Sequence, residues 1–222
     1  LRQLLLAKKN AESVKYDSLI FTIQTRLADM YVKMKKLHQA NEIYSKNFQY
    51  YQENISKIPL DDLFVLLFNK SYNHSILKQH DSALYYSRLG ADLCYQNKLQ
   101  RNYFLLRQGS VAYDLHDYKA SIKNVSNAIP YLIQDGNMMV LTEAYSILGK
   151  SHKKLHNTKE ALTYFKLIDS IYVQTHKHYK NQRSAFVALH DHYEKENNLK
   201  MQLKYMQKIM AYDSIYYVVI CN

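Results

Sequence analysis

Residues 144–172 read AYSILGKSHKKLHNTKEALTYFKLIDSIY, and this stretch decides the fold. Ala144 to Gly149 continue toward a polar turn at Leu155-His156-Asn157-Thr158, after which Lys159-Glu160-Ala161 open a second helical pattern. Ala161, Phe165, Ile168 and Tyr172 follow at spacings of four, three and four, which places them on one face of a helix. Gly149 and Ala161 are small enough to let two helices approach closely, and Phe165 fills the space beside them. The unit is an αα-hairpin whose apolar face stays wet unless another hairpin stacks on it.

The same order recurs along the chain at intervals of about 40 residues. One copy has Leu27-Ala28, Tyr31, Ala40, Tyr44 and Asn47, and another has Leu67, Ser71, Ala83 and Gly90. A third has Gly109, Ser121, Val125 and Ala128, and the most degenerate has Leu189, Tyr193, Gln202, Met206 and Ile209. In every copy the second marker follows the first by 12 residues: 28 to 40, 71 to 83, 109 to 121, 149 to 161 and 190 to 202. His116 and His156 occupy the turn where a glycine is easiest, and His tolerates the left-handed conformation better than most residues. Asn157 and Thr158, Asp81-Ser82 and Asp117 are placed to cap the helices that follow.

This order resembles the tetratricopeptide repeat family over roughly residues 18 to 217, with a period longer than that family's usual one. Helices about a turn longer than usual absorb the difference, as in the repeat regions of some bacterial transcription regulators and sensor kinases. The expected fold is all-α, an α-α superhelix of about five helix-turn-helix units (18–57, 60–97, 99–136, 138–177 and 179–217). An N-terminal helix within 1–17 precedes them, and a tail, 218–222, follows. Glycine and proline are scarce, at 4 and 2, so long helices run uninterrupted. Pro59 and Pro130 are expected between units or at a helix end. The 22 tyrosines are expected to fill space between helices with their hydroxyls reaching solvent. The first residue is Leu1, and the chain closes on Tyr216-Tyr217-Val218-Val219-Ile220-Cys221-Asn222, so both ends read as cut from something larger.

Further implications of the resemblance concern function. The first helix of each pair lines a concave groove for peptides or helices. Counting from the small marker, the expected groove residues are Arg26, Asn69, Tyr72, Arg107, Tyr113, Lys150 and Lys153. Polar, aromatic and basic side chains together suit a peptide carrying acidic groups, because Arg pairs with carboxylates and Tyr adds rigid area. The carboxylate clamp of chaperone-binding family members is not supported: Asn69 and Arg107 match it, whereas Thr25, Asp29 and Tyr103 do not.

The expected job is therefore a non-enzymatic protein- or peptide-binding scaffold, the sensor or regulatory region of a larger bacterial protein with an attached output domain. A stand-alone adaptor, self-associating through a terminal hairpin, is the alternative. Net charge of +11 raises nucleic acid as a partner, but the lysines are interleaved with acids, as at Glu194-Lys195-Glu196, which points to solvated helix faces. Lys150, Lys153 and Lys154 form the densest basic cluster and are expected on one exposed face. No cofactor is implied, and no phosphate loop or nucleophile elbow is present. His176-x-His178 and His190-x-His192 point apart on a helix, which leaves His190 with Glu194 as a weak metal pair. Asp61-Asp62 complements a helix start. Cys94 and Cys221 form no disulfide framework, which favours a cytoplasmic setting over a periplasmic one. No run approaches the length of a membrane span.

Overall fold

A computed structural model describes residues 1–14, 16–97 and 102–221, with side chains to residue 215. Among these residues the regular structure is helical: α1 (Arg2–Ser13), α2 (Asp17–Lys33), α3 (Leu37–Glu53), α4 (Leu60–Ile76), α5 (His80–Gln96), α6 (Asn102–Asp114), α7 (Tyr118–Asp135), α8 (Met138–Lys154), α9 (Thr158–Thr175), α10 (Gln182–Lys195) and α11 (Leu199–Cys221). The chain divides into two compact units, residues 1–111 and 112–222. The expected start of the third repeat at residue 99 lies outside the described residues.

In the first unit α1 lies on α2, the pairs α2–α3 and α4–α5 pack internally, and α3 and α4 join them. Their shared core contains Phe21, Ala28, Ala40, Tyr44, Leu63, Leu66, Leu67 and Phe104. In the second unit α8 packs between α7 and α9, and α10 packs on α9 and pairs with α11. The small markers at 28, 40, 71, 83, 109, 121, 149 and 161 are all buried. A Cβ on Gly149 would stand 2.5 Å from the Phe165 ring, and one on Gly90 only 2.2 Å from the Phe104 ring. Bare Cα atoms are therefore what lets these aromatics seat.

Every hairpin turns the same way. Lys35, Lys78, His116, His156 and Asn197 all have positive φ, and each stands seven residues after its first marker. The residue after each one donates back across five residues: Lys36 to Tyr31, Gln79 to His74, Asp117 to Ala112, Asn157 to His152, Asn198 to Tyr193, at 2.8–2.9 Å. The left-handed residue itself donates to the carbonyl three before it, completing the Schellman arrangement that closes a helix C-terminus. The two histidines thus sit where expected. Lys35 and Lys78 accept the same strained conformation because both turn hydrogen bonds hold them.

Several local expectations change. Asp117 does cap α7, accepting from Ala120 N–H at 3.0 Å. Asn157 stands at the N-cap of α9 without bonding its free N–H groups, its amide lying 3.5 Å from the His152 ring instead. Asp81 lies inside the first turn of α5, behind the N-cap Gln79. Pro59 is the N-cap of α4, but Pro130 lies inside α7. It is exposed, and its missing N–H withdraws the usual i−4 donor from the carbonyl of half-buried Ser126. Two buried tyrosine hydroxyls bond inside the fold instead of reaching solvent: Tyr44 donates to Asp29 at 2.5 Å and Tyr205 to Asp169 at 3.1 Å. The fifth pair differs most. Met206 is 46% exposed and Tyr205 is buried in its place, because His190 and Gln202 stand where the other pairs carry small residues and the helices meet through larger rings. Tyr205 stacks on Tyr193 at 5.8 Å.

Gly149→Ala should lower stability by ~1–3 kcal/mol in a denaturant melt, since overpacking outweighs the gain in helix propensity. Adding Phe165→Leu should recover part of the loss, and an unchanged melt for the single variant would contradict the packing.

Candidate functional site

The residues expected to line a binding surface lie on the first helices, and the structure gives them different environments. In the first unit Arg26 is exposed on α2, where its charge and that of Lys33 partly offset the burial that raises the Asp29 carboxyl above its usual pKa. Asn69 and Tyr72 are half-buried on α4. Arg107 is 3% exposed, a correction to its expected place on an open surface. Its guanidinium carbon lies 4.5 Å from the Tyr72 ring centroid and 5.1 Å from that of Phe68. A planar, weakly hydrated cation stacks on ring faces that an ammonium would satisfy less well. Tyr72 and Arg107 are thus brought together, as one packing element of α4 and α6.

In the second unit Tyr113 is half-buried against Tyr118, with ring centroids 5.6 Å apart. Lys153 and Lys154 are exposed, whereas Lys150 is half-buried, so the three lysines do not share one open face. Burial, and then the nearby charge of Lys180, push the Lys150 amine below its ordinary pKa. No carboxylate forms an ion pair with Lys150 among the described residues. Lys180 was not singled out by the repeat pattern, because it lies in the connection between α9 and α10 rather than on a first helix.

A buried cluster around Lys70 in the first unit carried no sequence signal. Lys70 is 1% exposed, donates to Ser45 Oγ at 2.6 Å and lies 4.7 Å from the Tyr86 ring centroid. His74, one turn on, stacks on the same ring at 5.4 Å and its Nδ1 lies 2.6 Å from Gln79 Oε1. Burial lowers the Lys70 amine to about 8. A lysine just before a small marker reads as a solvated residue in hydropathy, and only the meeting of α3, α4 and α5 encloses it. On α5, Asp81, Leu84, Tyr85, Arg88, Leu89 and Asp92 line a shallow hollow of about 340 Å³ that includes none of the expected residues.

Only His190 and His192 lie on a helix; His176 and His178 fall in the connection after α9, so their expected helical placement is corrected. His178 packs on the Tyr172 and Tyr212 rings, and His176 closes α9 in a left-handed conformation. His192 meets Glu196 at 3.3 Å, while ligand atoms of His190, Asp191 and Glu194 lie within 4.8 Å of one another. Asp191 joins the pair foreseen from spacing because its carboxylate bends back to 3.5 Å from His190 Nδ1. Asp61 and Asp62 lie in the first turn of α4, where Asp62 also accepts from Thr22 Oγ1 at 3.0 Å. Among the described residues no helix is long and apolar enough to cross a membrane.

The architecture defines a class. The fold is of the tetratricopeptide-repeat type, an array of antiparallel helix pairs. It is similar to BtubC (BKLC) from P. vanneervenii, with a TM-score of 0.77 and 12% identity, covering 97% of this chain and 90% of that one. A Rap protein complexed with Competence and Sporulation Factor gives a TM-score of 0.69 at 16% identity, covering 89% of this chain and 54% of that one. The apo form of the quorum sensor NprR from B. thuringiensis gives 0.62 at 11% identity, covering 85% and 52%. The chain spans about half the length of the latter two. No family model and no curated protein matches the sequence.

Arg107→Ala should lower the melting temperature, because it empties the stack on Phe68 and Tyr72; a melt indistinguishable from the parent would contradict that role. Lys70 gives a pH test. Below about 8 the amine is protonated folded and unfolded, and the folded state bears the full cost of burying the charge. Between about 8 and the ordinary 10.5 the folded chain has released a proton that the unfolded chain keeps, so stability rises. Melts of the parent and Lys70→Met should therefore show the variant's relative stability falling as pH rises through that window. Parallel profiles would contradict a buried charge.

Proposed function

We propose that this chain is a non-enzymatic scaffold that binds a protein or peptide segment along the first helices of its pairs. In this reading it is the sensor or regulatory region of a larger bacterial signalling or transcription-regulatory protein, and an attached domain supplies the output. The observation that carries the proposal is Lys150 itself: a half-buried amine on α8 with no carboxylate ion-paired to it among the described residues. With exposed Lys153 three residues along α8, that spot gains most from a ligand that brings carboxylates. Tyr113 offers rigid aromatic area to such a segment. The shared fold with a Rap protein complexed with Competence and Sporulation Factor and with the quorum sensor NprR supports a segment as ligand and a regulatory context. Arg107, given its burial, acts here by holding Tyr72 in place.

Panning a displayed random-peptide library against the chain should enrich acidic sequences. Lys150→Ala/Lys153→Ala should weaken the best of these peptides at least tenfold, with unchanged helix content by circular dichroism. Equal affinity in that variant, or enrichment without acidic character, would contradict the assignment. If duplex or single-stranded nucleic acid bound instead, with affinity falling steeply as salt rises, the basic surface would have the other use.

A further inference from the structure

Residues 190–196 read HDHYEKE, three carboxylates and a single lysine in a chain whose net charge is +11. They form the last turns of α10 and its C-cap, and the histidines divide between two faces. On one face His192 meets Glu196 at 3.3 Å. On the other, one ligand atom from each of His190, Asp191 and Glu194 lies within 4.8 Å of the other two. Among the described residues this is the one group of three such side chains. His190 and Glu194 stand one helical turn apart, and Asp191 reaches them from the side.

Helix packing does not account for the imidazole. His190 occupies the first-marker position, where the other pairs carry buried Ala28, Ser71, Gly109 and Gly149 so that their helices can meet. His190 is half-buried, and its pair meets through the stacked rings of Tyr193 and Tyr205. Among the described residues neither its ring nor the Asp191 and Glu194 carboxylates enter a hydrogen bond. His190 Nδ1 and Asp191 Oδ1 lie 3.5 Å apart, longer than a good hydrogen bond. That separation is close to the edge of about 3.4 Å between two ligands that each sit about 2.1 Å from a tetrahedrally held ion. Glu194 is exposed, so rotation of its side chain closes the remaining distance without moving the helix.

We propose that His190, Asp191 and Glu194 form a surface site for a divalent transition-metal ion of the zinc class. The imidazole nitrogen selects such ions over magnesium and calcium, which take oxygen ligands and more of them than this site supplies. Two carboxylates balance the charge of the ion. Three protein ligands leave the remaining position to water. Because the ligands converge only when residues 190–194 are helical, the bound ion holds the last turn of α10 closed, and zinc raises the melting temperature of the chain.

Isothermal titration of zinc chloride into the tag-free chain, freed of metal with a chelator, is the test. One ion per chain should bind with low-micromolar affinity, and a millimolar excess of magnesium or calcium should leave that affinity unchanged. His190→Ala and Glu194→Gln should each weaken binding at least tenfold, and His192→Ala should bind like the parent. His190→Ala restores the small residue of the other pairs, and Glu194→Gln alters an exposed side chain, so both should keep the parent's helix content by circular dichroism. Absence of zinc binding below millimolar concentration would overturn the proposal. So would undiminished affinity in His190→Ala or Glu194→Gln, a loss as large in His192→Ala, or displacement of zinc by calcium. None of these results depends on a peptide binding near Lys150.

Discussion

The structure depends on how closely paired helices approach. A ring set directly against a glycine, Phe165 on Gly149 and Phe104 on Gly90, interlocks a small residue with a large one and leaves no room for a methyl group. Close approach brings the flanking apolar residues into contact and excludes water from the seam, and that burial is what stabilises an array of short helices. The turns serve the same contact. A Schellman closure at each of the five turns fixes the point at which the chain reverses, and in the α4–α5 pair it brings Ser71 Oγ to the Ala83 carbonyl at 2.7 Å.

Much of this was legible because it rests on periodicity. Small residues recur at fixed offsets, and the turns between them carry His116 and His156, residues that tolerate positive φ. What escaped has one cause in common: the relevant contact lies between elements distant in sequence, or it contradicts hydropathy. Lys70 and Arg107 are polar by composition, yet both are buried against aromatic faces. Tyr44 and Tyr205 find carboxylates 15 and 36 residues away, which no local spacing announces. In the fifth pair the markers are His190 and Gln202, and without a small contact the helices settle on Tyr205, turning Met206 outward. Pro130 inside α7 is tolerated because its ring is exposed, which the sequence pattern alone does not reveal.

These burials bear on function. Of the excess positive charge, +11 overall, part is internal: Lys70 sits between Ser45 and Tyr86 and Arg107 on two rings, while the Lys208 charge is cancelled by Asp169. Charge held this way is enclosed within helix contacts and is not free to track a phosphate backbone. Lys150 differs in that no carboxylate is ion-paired to it among the described residues, and Lys153, one turn on, is exposed. The expected binding row thus resolves into residues that pack and residues that remain available, a division that hydropathy alone does not draw.

The interlock at the glycines can be observed directly. In proton NMR of the intact chain, the Gly149 and Gly90 Hα that point at the Phe165 and Phe104 rings should be displaced strongly upfield by ring current and show cross-relaxation to those ring protons. Glycine Hα shifts near their unstructured values, with no cross-relaxation to either ring, would contradict the close approach from which the rest follows.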